Sequence, residues 1–220
     1  MRPQAILFDF DGVLVDSEWA SNSQIAEFLT EAGYPTRPED AIERFMGLAG
    51  TAFEEAIERW IDGPLPDGFR DARMRAGARY MRDGIAEVAG ATRFIHGLDQ
   101  DLPIAVVSSA STQWIAAHLD HLGIRERFNG HLYSGREHVG RMKPAPDLYL
   151  FAAEQLGVDI ARTMIIEDSP VGVEGAVASG AQVVGLCAGS HARDGHDARL
   201  IAAGAHRCAA SFDEIARLLN

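Results

Sequence analysis

From Leu102 onward the chain alternates short apolar runs with helix-patterned stretches, and this rhythm restricts the fold more than any other feature of the 220 residues. Residues 104–107, 131–133, 164–166 and 182–186 read as strands, and 112–122, 147–156 and 171–179 as helices. Strands that each feed a covering helix pair in parallel and bury both faces of their sheet. The run Ala5-Ile6-Leu7-Phe8 adds one more strand near the N-terminus. The expected fold class is therefore α/β, a Rossmann-like doubly wound parallel sheet. Between that first strand and the alternation, residues 17–32, 39–45, 51–61 and 69–88 show helical spacing only, broken by Gly47, Gly50 and the turn Pro64-Leu65-Pro66-Asp67-Gly68. This is the pattern of an inserted all-helical cap domain over 17–86, leaving 1–16 and 87–220 as the Rossmann-like core. Phe45, Met46, Phe53 and Trp60 fall at helical spacing, as residues of the cap's own core do. A stretch over 187–207, rich in Ala, Gly and His, is expected to skirt the surface before a last helix over 212–219.

The first strand ends in Asp9-Phe10-Asp11-Gly12-Val13. Residues two apart on a strand point the same way, so Asp9 and Asp11 can face one reacting centre while Gly12 lets the backbone turn away. One acid can attack and the other can carry a proton, an arrangement suited to phosphate chemistry. Three further polar signals fall at strand ends or in the loops after them, and in open α/β sheets ligands sit outside those ends. After 104–107 comes Ser108-Ser109-Ala110-Ser111, whose first hydroxyl and following amides suit a phosphate oxygen. Lys143, in Gly140-Arg141-Met142-Lys143-Pro144-Ala145-Pro146-Asp147, is a cation held ahead of two prolines and a helix. After 164–166 comes Glu167-Asp168-Ser169-Pro170, a second acidic pair. Four carboxylates at one rim repel each other unless a cation is bound. Magnesium fits best, because it takes one or two carboxylates together with water and substrate phosphate.

Taken singly, each signal has a plain structural reading, as a turn, a helix cap, a surface lysine or first-turn helix acids. Together and in this order they resemble the haloacid dehalogenase superfamily, in particular the subfamily with a helical cap after the first strand that includes the β-phosphoglucomutase-like and sugar-phosphate phosphatase groups. The resemblance spans nearly the whole chain. It implies that Asp9 is a nucleophile forming an aspartyl-phosphate, and that Asp11 is a general acid and then a general base. It implies that Ser108, the amide of Ser109, and Lys143 hold the phosphoryl oxygens. It also implies a magnesium ion (Mg2+) on Asp9, the backbone carbonyl of Asp11, and Asp168, with Glu167 either reaching the ion through water or orienting one. Dehalogenases of this fold lack an acid at the position of Asp11, and phosphonate cleavage uses a cap lysine that residues 17–86 do not contain. Ser21 stands where the mutases carry a histidine, and Gly47-Leu48-Ala49-Gly50 ends in glycine where their loop supplies an arginine. The expectation is a magnesium-dependent phosphatase acting on a small sugar phosphate or related phosphorylated metabolite. A hexose-phosphate mutase of the β-phosphoglucomutase type and a non-catalytic phosphometabolite-binding module are the alternatives.

The 32 acidic and 20 basic residues leave a formal charge of −12, which offers no basic field for nucleic acid or for an anionic membrane surface. The N-terminus shows no signal peptide or membrane span, so a cytoplasmic location is expected; the oligomeric state is left open, with a monomer as the default. Cys187 and Cys208 lack C-x-x-C spacing and read as two reduced thiols. His191 and His196 lie five apart in a glycine-rich segment and read as a solvated loop rather than a zinc site. Trp19, Arg44, Arg136, His138 and Arg141 are candidates for substrate specificity, although exposed arginines more often only solvate a surface.

Overall fold

The structure is a computed structural model that describes residues 2–46, 48 and 50–219. Gly47 and Ala49 of the Gly47-Leu48-Ala49-Gly50 segment lie outside the described residues. The chain divides into two compact units, one running to Asp16 and resuming at Ala86, the other Ser17–Ile85.

The chain opens on β1 (Ala5–Phe8), a run of four residues buried on both faces, as a central parallel strand requires. The second unit follows with α1 (Ser17–Glu31), α2 (Pro38–Phe45), α3 (Gly50–Ile61) and α4 (Phe69–Asp83). Its core is aromatic: Phe53 packs edge-on to Phe45 and stacks on Phe69, which meets Phe28 at 5.3 Å between ring centres. The expected helix over 69–88 ends early, at Asp83. Gly84 takes φ 80, and its N–H closes on the carbonyl of Tyr80, so the helix stops there.

The first unit resumes with α5 (Ala91–Gly97), β2 (Ile104–Ser108), α6 (Thr112–His121), β3 (Leu132–Ser134), α7 (Gly135–His138) and α8 (Asp147–Leu156). It continues through β4 (Thr163–Glu167), α9 (Pro170–Ala178), β5 (Gln182–Leu186), α10 (His196–Ala202), β6 (Arg207–Ala209) and α11 (Phe212–Leu219). The six strands lie in the order β3-β2-β1-β4-β5-β6, every adjacent pair parallel. Strand order reverses between β1 and β4, the place where such sheets open a crevice at their C-terminal ends. Leu7, Val107, Ile165, Val183, Tyr149 and Val173 are among the buried residues of the core between the sheet and its helices.

The segment over 187–207 corrects the expectation of a surface loop. It contains α10, whose Leu200 is wholly buried, and it leads into β6, which pairs with β5 in the register Val184↔Arg207. His191 and His196 are 2% and 3% exposed, so they are interior residues and the solvated-loop reading fails.

Candidate active site

The register of the sheet builds the site. Phe8 stands opposite Val106 of β2 and Ile166 of β4, and the next residue, Asp9, donates its N–H to the Ile166 carbonyl at 2.9 Å. Ser108, the last residue of β2, and Glu167, the last of β4, therefore emerge at the rim that Asp9 occupies. Beyond Asp9 the backbone folds tightly, with the N–H of Gly12 on the Val15 carbonyl at 2.8 Å and Gly12 itself at φ 81. A Cβ on Gly12 would lie 2.0 Å from Oδ2 of Asp168, so glycine serves the turn and also makes room for the second acidic loop.

Lys143 is the sole lysine of the chain. Its Nζ donates to Asp9 Oδ1 at 2.8 Å and to Glu167 Oε1 at 2.6 Å, with the ammonium 5.3 Å from the centre of the Tyr149 ring. Glu167 is fully buried, and protein donors engage both of its oxygens. The Tyr149 hydroxyl donates to Oε1 at 2.6 Å, and Ser169 reaches Oε2 through its hydroxyl at 3.2 Å. Burial works against the charge of Lys143, but Asp9 and Glu167 outweigh it and hold the ammonium well above the ordinary lysine range. Burial, followed by repulsion from Glu167, pushes the Asp9 carboxyl well up, with Lys143 pulling the other way. Burial and then Glu167 also push the Tyr149 phenol up, so it remains a neutral donor.

Asp9, Glu167 and Asp168 each offer an oxygen within 4.8 Å of the others. Asp11 stands apart from this cluster, its carboxylate accepting the indole N–H of Trp114 at 3.3 Å. Trp114 in turn packs on the ring of His118 at 4.1 Å. Ser108 is buried and its Oγ accepts from the N–H of Ala110 at 3.0 Å, while Ser109 is exposed. The structure thus gathers Asp9, Lys143, Glu167 and Asp168, puts Ser108 on the same rim, and places the Asp11 side chain against α6.

A model of the haloacid dehalogenase-like hydrolases matches residues 6–186. The chain belongs to this family. Among solved haloacid dehalogenase-like hydrolases, one from Deinococcus radiodurans R1 with bound phosphate and sodium is 32% identical, with a TM-score of 0.89 over 99% of this chain and 95% of that one. The 6-phosphogluconate phosphatase of Escherichia coli (strain K12) is 26% identical over 191 residues, 86% of this chain and 85% of the relative. Hexitol phosphatase A of the same organism is 28% identical over 188 residues, 84% of each chain. Within the haloacid dehalogenase-like hydrolases the chain groups with phosphatases.

Members of this family work with a divalent cation, and the residues present fit one. Three buried carboxylates lie within 4.8 Å of one another and only two of them pair with the Lys143 ammonium, so the cluster favours a hard, oxygen-preferring dication. Tyr149 and Trp114, which touch Glu167 and Asp11, carry no signal in the sequence, and His191, expected in a solvated loop, instead touches Asp168. A tyrosine and a tryptophan at helical spacing look like core, and only the sheet order reveals that the loop after β5 lies beside the end of β4. Among the specificity candidates, Arg44 lies 4.1 Å over Trp60 and Arg141 pairs with Asp147 at 2.8 Å. His138 shares a hydrogen bond with the Ser134 backbone. Among the described residues no helix is long and apolar enough to cross a membrane.

Proposed function

We propose that this haloacid dehalogenase-like hydrolase cleaves a small sugar phosphate, or a related phosphorylated metabolite, through an aspartyl-phosphate on Asp9, with magnesium as its metal. The observation that carries this reading is Lys143 clamped between Asp9 and Glu167 beside Asp168. The relatives named for 6-phosphogluconate and for hexitols support a sugar-phosphate substrate.

A carboxylate oxygen of Asp9 attacks phosphorus while the bond to the leaving oxygen breaks, and Asp11 delivers its proton to that oxygen. Asp11, now a carboxylate, takes a proton from water. The water oxygen attacks the phosphorus, the bond to Asp9 breaks, and inorganic phosphate departs. The Lys143 ammonium, the Ser108 hydroxyl and the amide of Ser109 hold the phosphoryl oxygens as charge shifts among them. Asp9, Asp168 and the backbone carbonyl of Asp11 would hold the magnesium ion, and Glu167 would add its charge while its oxygens stay with Lys143, Tyr149 and Ser169. When bound, the ion supplies charge neutralisation at the phosphoryl group.

The test is phosphate release from a panel of sugar and small-metabolite phosphates, with and without magnesium, by the native protein and by Asp9→Asn. Magnesium-dependent release that the substitution abolishes supports the proposal and names the substrate class. Isomer formation that depends on a bisphosphate primer, without net phosphate release, would assign a mutase instead. Tight binding across the panel with no turnover would assign a binding module.

A further inference from the structure

Asp168 is held at both ends by histidines that follow β5. His191 Nε2 meets Asp168 Oδ2 at 3.0 Å, and His196 Nε2 meets the Asp168 backbone oxygen at 2.7 Å. The two imidazoles pack edge to face, 5.4 Å between centres. Both are buried, although they come from a glycine-rich segment of an acidic chain.

The pocket for His191 is shaped by two backbones that lack a side chain. A Cβ on Gly189 would lie 2.6 Å from two atoms of the imidazole, and one on Gly12 would lie 3.0 Å from its Cε1 and 2.0 Å from Asp168 Oδ2. Neither clash is cheap, because the ring and the carboxylate are boxed in. Immediately before His191 in the chain, Ser190 bonds the Asp16 carboxylate through its hydroxyl and its N–H. The same loop therefore fastens the turn that follows Asp9 and Asp11. A carboxylate with one oxygen fixed by an N–H donor has lost most of its rotational freedom, and its other oxygen faces one direction only.

We infer that His191 is a positioning residue for the metal, its Nε2–H fixing the Asp168 carboxylate in the orientation in which it binds the magnesium ion. The inference rests on the reading of Asp168 as a ligand. Outer partners that orient metal ligands account for about 10–100-fold in metal affinity when removed, and His191 occupies that place here. His196 holds the backbone of the same residue, so the side chain turns on an anchored main chain.

The test separates the donor from the ring. His191→Phe keeps a ring and removes the donor; His191→Gln removes the ring and carries an amide N–H to about the place of Nε2. Magnesium binding is read by calorimetric titration of magnesium chloride into the metal-stripped protein, with hydrolysis kinetics measured beside it. His191→Phe is expected to bind magnesium about tenfold or more weakly, and His191→Gln within about threefold of the native protein. The KM for the phosphorylated substrate at saturating magnesium should stay near its native value in both. Native magnesium affinity in His191→Phe, or an equal loss in both variants, overturns the inference. Asp168→Asn distinguishes the two layers: if it binds magnesium as the native protein does, the ligand reading itself fails. If His191→Phe does not fold by circular dichroism, His191→Asn, whose amide stops short of Asp168, replaces it under the same criterion.

Discussion

At the residue scale, the site turns on one ammonium. Lys143 is buried against Asp9 and Glu167, and removing it leaves those carboxylates facing each other without a counter-charge. Lys143→Met is expected to lower kcat about a hundredfold or more and to cost about 3–5 kcal/mol of stability. Phosphate release and urea unfolding would measure the two effects. Adding Glu167→Gln should return part of the stability and none of the activity. Cys187 makes a different prediction. Burial, and then the neighbouring Cys208, push its thiol up to about 12, so it stays protonated at neutral pH. Alkylation by iodoacetamide at pH 8 should run on the order of a hundredfold or more slower than for a free cysteine, and rise with pH toward that value. These residues differ in how legible they were. Asp9, Asp11, Lys143, Glu167 and Asp168 stand out as a set, because charges at two apolar strand ends and a lysine held ahead of two prolines have few structural uses in common. Tyr149 and His191 do not, because the residues that give them a role are far away in sequence.

At the element scale, α9 shows how a helix terminus is tied to the site. Ser169 caps it, its Oγ accepting from the Gly172 N–H at 3.0 Å while the same hydroxyl donates to Glu167. Pro170 follows at the first helical position, where no N–H is needed. Ser169→Ala is expected to cost about 1 kcal/mol, from the lost cap, and to reduce kcat by loosening Glu167 and through it Lys143. Denaturant unfolding read beside kcat would separate these. The elements that escaped a local reading share a cause. Among them, β6 is three residues, Arg207-Cys208-Ala209, with no apolar run, and it is a strand only because β5 presents an edge to it. The helix expected over 69–88 was too long because apolar spacing continues past a glycine whose backbone does not.

At the scale of the molecule, each compact unit carries its own core. Phe69 is 2% exposed in the Ser17–Ile85 unit, stacked on Phe53 and edge-on to Phe28. Phe69→Ala is expected to cost that unit about 3–5 kcal/mol. Amide hydrogen exchange should show the loss within 17–85, with β1, β2 and β4 keeping their protection. The sequence by itself determined the parallel sheet, because short apolar runs that alternate with helices have one way to bury both faces. It also determined the helical character of the insertion, because apolar residues there recur at the helical period. The tertiary structure alone decided the strand order β3-β2-β1-β4-β5-β6, and with it which side chains meet. Lys143 reaches Asp9 across 134 positions and Ser190 reaches Asp16 across 174. Local periodicity reports which face of an element is apolar; it carries no information about which distant loop will be folded against that element's end.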